Sequence, residues 1–413
     1  MRRRHCDAGD LELGGGLEIL LNAVLDPAPA GDEIEVSLAS PRVARELPAW
    51  ARLSGHEVVE EGGADGKSLV VIRRGSIRRV LAAPLPARDE PARLRAGAFH
   101  TGDLRGIAGE PPAEVDATAG FVPIGAMAEA GAPAFDWTLN RADRVWSDDV
   151  AQLVEGASAA QWDASRDIPW RDARALPAFL EQAVCQVVTF IAQNEYAAYY
   201  VPARFMARLN PEYAEVLLWL AGHVHDEARH IEVFTKRAVL NGAHGYALAS
   251  TQRSLHTLLE ESDFTCSALL LNVLGEGSFI DLLQFVERYA PDPATAAAAR
   301  LAHRDELRHV RFGITHVRRA LARDPSLVTR LVAAAENRAS KLVDLTGISP
   351  VVSEALTIMA TASMQPADIS EAAASVRSLM RSGAVNRVSR LQEAGFDEPT
   401  ARHLSDLHTP NLM

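Results

Sequence analysis

The chain has 413 residues, of which 48% are hydrophobic, and its formal net charge is -12. This length allows two or three domains with at least one large buried core. The acidic balance argues against nucleic-acid and anionic-membrane partners, because both require clustered positive charge. Three cysteines are too few for a disulfide framework or a cysteine-rich metal site, so the sequence predicts a protein of the reducing cytoplasm. No uncharged stretch reaches membrane-spanning length.

Residues 1–82 alternate between helical and strand-like patterns. Helical periodicity predicts helices over residues 17–25 and 43–54, and alternating apolar residues predict strands over 33–38 and 69–72. Glycine, proline and aspartate separate these segments. The pattern indicates a small α/β domain.

One stretch of this domain, PAGDEIEVSLASPRVARELPAWARLSGHEVVEE with LVVIRRG, resembles the TusA-like sulfur carriers over roughly residues 1–75. The resemblance implies a two-layer α/β fold. The reactive Cys-Pro-x-Pro motif of that family would fall on residues 14–17, where this chain has Gly-Gly-Gly-Leu. Cys6 lies earlier, on the presumed first strand, and we interpret it as a small packing residue without persulfide chemistry.

Residues 83–135 are rich in Pro, Gly and Ala and are predicted to form a connector. From residue 136 the pattern is helical, and we interpret 136–345 as the main domain. Long helical segments are predicted over roughly 175–209, 212–241, 248–261, 264–290, 293–322 and 325–345.

Residues 346–413 are predicted to form a helical C-terminal tail. Gly383 and Gly395 are each expected to end a helix, because glycine is the common residue at helix C-termini. Asp397 is expected to cap the last short helix.

Two tetrapeptides of the helical domain carry the chemistry. They are Glu227-Ala-Arg-His230 and Glu306-Leu-Arg-His309, and an aspartate precedes each. Positions three apart lie on one helix face, so a single metal ion can take a carboxylate and an imidazole from one turn. One Glu-x-x-His match arises readily by chance, but the repeated Asp-Glu-x-Arg-His string is much rarer. The repeat therefore predicts metal ligands.

Each string follows a helix with a carboxylate in an apolar run. Glu195 lies 32 residues before Glu227, and Glu276 lies 30 residues before Glu306. The Asn210-Pro211 break falls midway in the first pair, so an antiparallel hairpin would bring both carboxylates to one level. The alternative is that Glu195 and Glu276 pair with arginines inside an ordinary bundle. We favour the metal site, because four buried carboxylates repel one another unless cations offset their charge.

On these motifs, residues 175–345 resemble the ferritin-like di-iron oxygenase and oxidase superfamily, and the strings are most similar to the hydroxylase subunits of bacterial multicomponent monooxygenases. The resemblance implies a ferritin-like four-helix bundle that holds two iron ions, with manganese or a mixed Fe/Mn pair as the alternative. It implies two ligand sets, with Glu227 and Glu306 as bridging candidates: Glu195, Glu227 and His230 for one ion, and Glu276, Glu306 and His309 for the other.

The resemblance also assigns the residues beside the ligands. Asp226 and Asp305 would orient the histidines, and Arg229 and Arg308 would complete this outer layer around the cofactor. The alternative for the two arginines is that they are exposed charges on a helix.

Three further histidines lie near the strings. His223 precedes Glu227 by one turn, and we interpret it as a hydrogen-bonded or solvent-facing residue, with an extra metal ligand as the alternative. His225 and His303 are interpreted in the same way. Gly275 and Gly277 flank Glu276, either to leave room beside the metals or to allow close helix packing.

The chain departs from relatives at two positions. Phe234 stands where many ribonucleotide reductase small subunits have a radical-bearing tyrosine, and Ile280 stands where the hydroxylases often have a threonine. No CxxC metal domain is present, so electrons would have to come from another protein.

These observations predict an O2-dependent enzyme that hydroxylates, N-oxygenates or desaturates a small organic substrate, with electrons from a reductase or ferredoxin. One alternative is a ferroxidase or peroxide-scavenging protein. Another is a metal-stabilised binding or accessory module. The sequence leaves a homodimer open.

Overall fold

The computed structural model describes residues 3–64, 66–76, 99–105, 110–124, 133–344 and 348–408. Contacts divide the chain into two compact units, Met1–Pro91 and Ala92–Met413. Residues 83–98, 106–109 and 125–132 of the predicted connector lie outside the described residues. The boundaries at 82, 135 and 345 stay predictions.

The first unit is a mixed four-stranded sheet with two helices. Strand β1 pairs in parallel with β2, and β4 runs antiparallel between β2 and β3, which gives the order β1-β2-β4-β3. The elements are β1 (Arg4–Asp7), α1 (Leu17–Leu25), β2 (Glu33–Leu38), α2 (Pro41–Leu53), β3 (Glu57–Ala64) and β4 (Lys67–Arg73).

One apolar core lies between this sheet and the helices. Leu21 of α1 and Leu47 of α2 are fully buried with Ile34, Val36 and Ile72 of the sheet. Ile34, Val36 and Leu38 of β2 are fully buried at every second position, as expected for a strand that faces a core, and Ser37 near its end is also buried. The predicted two-layer α/β domain is confirmed, whereas the likeness to sulfur carriers stays a prediction.

Strand β3 was not predicted from the sequence. It pairs only with β4, and most of its side chains are exposed, so it lacks the apolar alternation that marks a half-buried strand. The strand forms through main-chain hydrogen bonds to β4.

Residues 14–17 form the entry to α1. Gly14 and Gly16 have φ angles of 80° and 108°, a region that side-chain-bearing residues rarely adopt. Cys6 is buried on β1, where burial raises the pKa of its thiol. A protonated, inaccessible thiol is a poor nucleophile.

We therefore expect no persulfide on Cys6 when the native protein is incubated with inorganic polysulfide, as read by mass spectrometry of the intact chain. The same protein unfolded in urea, in which the thiol is accessible, should be modified and serves as the control. Equal modification of native and unfolded protein would show that Cys6 is reactive after all.

The second unit is helical. Its core is one continuous apolar cluster of buried residues. The helices are α3 (Ala142–Val145), α4 (Val150–Ala159), α5 (Ala178–Met206), α6 (Ala214–Asn241), α7 (Ala249–Glu260), α8 (Phe264–Ala268), a π-helix (Leu269–Glu276), α9 (Gly277–Tyr289), α10 (Pro293–Arg323), α11 (Leu327–Lys341), α12 (Pro350–Thr361), α13 (Pro366–Glu393) and α14 (Glu398–Leu407).

Four long helical runs form the bundle. Helices α5 and α6 pack together as one hairpin, and the run from α8 through α9 packs on α10 as the second. Asp292 caps α10 by accepting a hydrogen bond from the Thr295 amide, which ends the turn between the paired helices. The predicted mainly α fold, with two antiparallel hairpins, is confirmed.

The run Phe264–Tyr289 is long and apolar enough by composition to cross a membrane, with a mean hydropathy of 1.4 over its most apolar window. That window is 100% buried inside the helical unit. Its apolar side chains therefore form core contacts, and the absence of a membrane partner stays a prediction.

The C-terminal helices pack on the bundle, α12 against α5 and α13 against α9. Asp397 caps α14 by accepting from the Thr400 amide, as predicted. Gly395 follows the end of α13 with a φ of 103°, also as predicted. The prediction that Gly383 ends a helix is wrong: it lies inside α13, where an added Cβ would stand 3.6 Å from the Asp281 carboxylate. That separation is an ordinary van der Waals contact, so packing does not require glycine at this position.

Candidate metal centre

The bundle brings the six predicted ligands together in its core. Glu195 lies on α5, Glu276 at the end of the π-helix, and the two Glu-x-x-His pairs on α6 and α10. The structure places two overlapping groups whose ligand atoms lie within 4.8 Å of one another: Glu195, Glu227, His230 and Glu306, and His223, Glu227, Glu276 and His309. All seven residues are buried.

Glu227 and Glu306 lie between the two groups. Glu227 Oε2 is 3.3 Å from His230 Nδ1, and its Oε1 is 2.9 Å from His309 Nδ1. Glu306 Oε1 is 3.4 Å from His230 Nδ1, and its Oε2 is 3.3 Å from His309 Nδ1. Each carboxylate therefore offers one oxygen to each side, the geometry required of a bridging ligand.

His223 was interpreted as a hydrogen-bonded or solvent-facing residue, and the structure agrees with the first of these. Its Nε2 lies 3.1 Å from Glu276 Oε1 and 3.4 Å from Glu227 Oε1. Its ring stacks on His309 with a centroid separation of 3.8 Å. A solvent-facing position is excluded, because His223 is buried. The site therefore contains a third imidazole that can reach a metal ion.

The helix that carries Glu276 is wound as a π-helix over Leu269–Glu276. Such segments are rare and recur at functional sites. Within it, Asn272 donates a hydrogen bond of 2.7 Å to Glu276 Oε2, which holds that carboxylate. Gly313 on α10 permits the close approach of this segment, since an added Cβ would lie 2.5 Å from the Asn272 Cβ.

The two aspartates hold the histidines in a crossed arrangement. Asp305 Oδ2 lies 3.2 Å from His230 Nε2, and Asp226 Oδ2 lies 3.4 Å from His309 Nε2. Each aspartate thus faces the histidine of the other string. With Nε2–H directed at the aspartate, the lone pair of each Nδ1 faces Glu227 and Glu306.

The two arginines are not exposed charges. Arg229 is buried and bonds both Asp226 and Asp305, the latter at 2.9 Å. Arg308 bonds Asp305 and lies 3.5 Å from Asp226. Trp162, in the loop after α4, adds an indole hydrogen bond of 2.7 Å to Asp305 Oδ2. Two aspartates and two arginines therefore form one layer around the centre.

The carboxylates in the core strongly affect one another's ionisation. Burial raises the pKa of Glu195 well above its usual range, and Glu227 and Glu306 raise it further. Burial and Glu227 also raise the pKa of Glu306. Burial opposes protonation of His230, but Glu227 and the other facing carboxylates raise the pKa of His230 well above its usual value.

The donor set fits a pair of metal ions. Among the described residues, the glutamates at the centre have only histidines within ion-pair distance, and no lysine or arginine. The alternative pairing of Glu195 and Glu276 with arginines is therefore wrong. Several buried atoms lack any hydrogen-bond partner: Glu195 Oε1, both Glu227 oxygens, Glu306 Oε1 and His230 Nδ1. Cations at these electron-pair donors would offset the buried charge.

An apolar pocket adjoins the centre. Its cavity volume is about 20 Å³, enough for one molecule the size of water. The lining is mainly aliphatic and aromatic, and its polar members include His223 and Asn272. The other lining residues are Val201, Pro202, Phe205, Leu220, Phe264, Ser267, Ala268, Leu271 and Phe312.

Sequence reasoning missed Asn272 and Trp162. Asn272 carried a signal, because a polar residue one turn before Glu276 interrupts an apolar run. No sequence pattern marks Trp162, because it lies in an irregular loop after α4. Only the tertiary packing brings its side chain to the centre. The interpretation of His225 and His303 agrees with the structure: His225 is exposed, and His303 lies 3.0 Å from Gln284.

The two glycines beside Glu276 were interpreted as leaving space or allowing close packing. For Gly277 the structure favours packing, because an added Cβ would stand 2.7 Å from Arg390 Nε on α13.

No family model matches the chain, and no curated protein matches it. Solved structures of an R2-like ligand-binding oxidase are similar to it at low identity. A mutant with an aerobically reconstituted Mn/Fe cofactor has 16% identity and a TM-score of 0.45, and covers 59% of this chain and 92% of its own. A mutant with an aerobically reconstituted Fe/Fe cofactor has 17% identity, a TM-score of 0.45 and the same coverage. The assignment of the centre rests on this chain's own residues.

We expect the protein, reconstituted anaerobically with Fe(II), to bind about two ions per chain, because the donor set is divided into two groups that share Glu227. Glu306→Ala and His230→Ala should each lower the stoichiometry measured by elemental analysis. His225→Ala, at an exposed histidine on the same helix as His230, is the matched control and should bind as the unaltered protein does. Full occupancy in both ligand variants would reject the site.

Asp305→Asn should weaken metal binding by roughly 10–100-fold, because the amide cannot hold the His230 tautomer as the carboxylate does. Competition with a chelating dye measures this change. Asp324→Asn, at an exposed carboxylate at the end of the same helix, should leave the affinity unchanged. Equal affinities for the two variants would contradict the role of Asp305.

Proposed function

We propose that the protein is a non-haem di-iron oxidoreductase that uses O2 to hydroxylate, N-oxygenate or desaturate a small organic substrate. One observation carries the proposal: a buried cluster of four glutamates and three histidines adjoins an apolar pocket, and His223 belongs to both. A site that only stores or stabilises metal has no need of an apolar pocket beside it.

The proposed ligands are the six predicted residues, with His223 added on the side of Glu276 and His309. Iron bound there would supply the electrons and the coordination positions for O2 reduction. Manganese in one or both positions is the alternative, since carboxylate and imidazole ligands suit both metals.

The chain's own residues have separate tasks in this proposal. The crossed aspartates keep both Nδ1 atoms directed at the metals. Asn272 fixes one oxygen of Glu276, which leaves the other toward His223. Phe205, Leu271 and Phe312 would bind the substrate by apolar contact and exclude water from its reacting end.

The proposal requires O2, the substrate and external electrons as partners. Phe234 is fully buried one turn after His230, so a tyrosyl radical at that position is not part of it. A reductase or ferredoxin is the proposed electron source, and the cytoplasm the proposed location, because the three cysteines are free and buried.

Reductant dependence separates this function from ferroxidase activity. We expect excess Fe(II) with O2 to give about one turnover of oxidation per centre and no mineral, whereas a chemical reductant with a mediator should sustain O2 consumption. An oxygen electrode and the iron absorption spectrum measure both. The reason is that an oxygenase must return its metals to the reduced state, whereas a ferroxidase consumes Fe(II) itself.

Glu306→Ala is the negative control. Iron in solution still reacts with O2 when this variant is present, so the variant measures oxidation that takes place outside the centre. Oxidation of many Fe(II) equivalents per chain without reductant would reject the oxygenase proposal in favour of ferroxidase activity. Loss of thermal stability on metal removal, with no O2 consumption under either condition, would favour the metal-stabilised accessory module.

A further inference from the structure

A second group of charged side chains lies outside the metal centre, where α13 packs on α9. Arg387 and Arg390 come from α13, and His408 follows α14. His408 is buried, and the Arg390 side chain is 13% exposed. The group therefore lies within the packing of α9, α13 and α14.

Among the described residues, cationic side chains outnumber buried carboxylates here, and the second carboxylate that acts on Arg387 is the exposed Asp406. Asp281 on α9 is the buried carboxylate of the group, and it pairs with Arg390 at 3.3 Å. It also accepts a hydrogen bond from Asn386 at 2.6 Å. Among the described residues, Arg387 has no carboxylate within ion-pair distance and contacts only the hydroxyls of Ser278 and Ser405, each at 3.4 Å.

The same imbalance is visible at His408. Burial lowers the pKa of His408 well below its usual value, and Arg387, Arg338 and Arg390 lower it further. Burial, followed by the neighbouring Arg390, lowers the pKa of Arg387 to about 10. Asp281 and Asp406 oppose that shift at Arg387 without cancelling it. A buried cation is costly unless an anion offsets its charge.

Two buried polar atoms of the group have no hydrogen-bond partner among the residues that the structure describes: Arg390 Nε and His408 Nδ1. His408 Nε2 lies 3.2 Å from Ser278 Oγ, the hydroxyl that Arg387 also contacts. Ser278 donates its own proton to the Leu274 carbonyl at 2.8 Å, so it acts as an acceptor for both. Arg387 and His408 thus meet at the Ser278 hydroxyl, and Arg390 and His408 each retain a buried nitrogen without a partner among the described residues.

We propose that Arg387, Arg390 and His408 form a binding site for a small oxyanion, phosphate or carboxylate in chemistry, between α9, α13 and α14. Guanidinium groups bind such anions through short, charge-assisted hydrogen bonds. The anion would be expected to favour the imidazolium form of His408, whose Nδ1–H could then donate to it. The bound anion would link α13 and the residue after α14 to α9, which begins directly after Glu276.

This site is independent of the metal centre. Among the described residues, neither Arg387 nor Arg390 lies within ion-pair distance of the four glutamates of the metal centre. The ligands of the anion site are also on different elements, α13 and the residue after α14, which contribute nothing to the two metal-ligand groups. Failure of the proposed enzyme function would therefore leave this inference untouched.

Thermal unfolding of the full-length, metal-loaded protein tests the proposal. Inorganic phosphate or acetate is titrated at constant ionic strength, with chloride making up the balance. We expect at least one of the two anions to raise the melting temperature by roughly 2 °C at ten times its dissociation constant. Comparison of the two shows which oxyanion the site prefers.

Arg387→Gln and Arg390→Gln should each abolish the rise. Arg402→Gln is the matched control, because Arg402 lies on α14 but its side chain is 64% exposed and pairs with Glu398. If the buried variants do not fold, calorimetric titration of the unaltered protein and of Arg402→Gln should show one saturable anion per chain. No rise and no heat of binding with either anion would overturn the proposal, as would an undiminished rise in both buried variants.

Discussion

The structure depends on one electrostatic constraint, the placement of four glutamates in the dry core of a helical bundle. No lysine or arginine of the described residues reaches them, so the three histidines are the sole protein groups at ion-pair distance. Buried carboxylates in this arrangement repel one another unless cations bind between them. Metal binding and folding of the core are therefore linked, since the same ions that could carry chemistry also compensate the buried charge.

The surroundings of the centre follow from that constraint. The aspartates and arginines form a paired layer in which each aspartate orients the histidine of the other helix, so α6 and α10 are fixed relative to each other by polar contacts. On the opposite side, the π-helix and Asn272 hold Glu276, and the apolar pocket begins there. One side of the centre is thus rigid and polar, and the other is apolar and accessible to a small molecule.

The cationic group near α9 differs from the metal centre in the sign of its buried charge. There, arginines exceed carboxylates, and the missing partner is an anion rather than a cation. The two sites meet the same helical run, which carries Glu276 in the metal centre and, directly after it, Gly277, which lets Arg390 approach closely. Compensating charge at both sites would stabilise the packing of this run.

The sequence by itself determined the helices, the six clustered residues and the aspartates beside them, because repeated strings at helical spacing place side chains on one face whatever the tertiary packing. The break between the two helices of a hairpin lies midway between their glutamates, so the two carboxylates lie at the same height in the bundle. Only the tertiary structure decided that His223 faces the centre, that Trp162 and Asn272 contact it, and that Gly383 lies inside a helix. These outcomes depend on which helix lies opposite, and local periodicity does not encode that choice. The same holds for β3, which forms by main-chain pairing with β4 although its side chains lack a strand pattern.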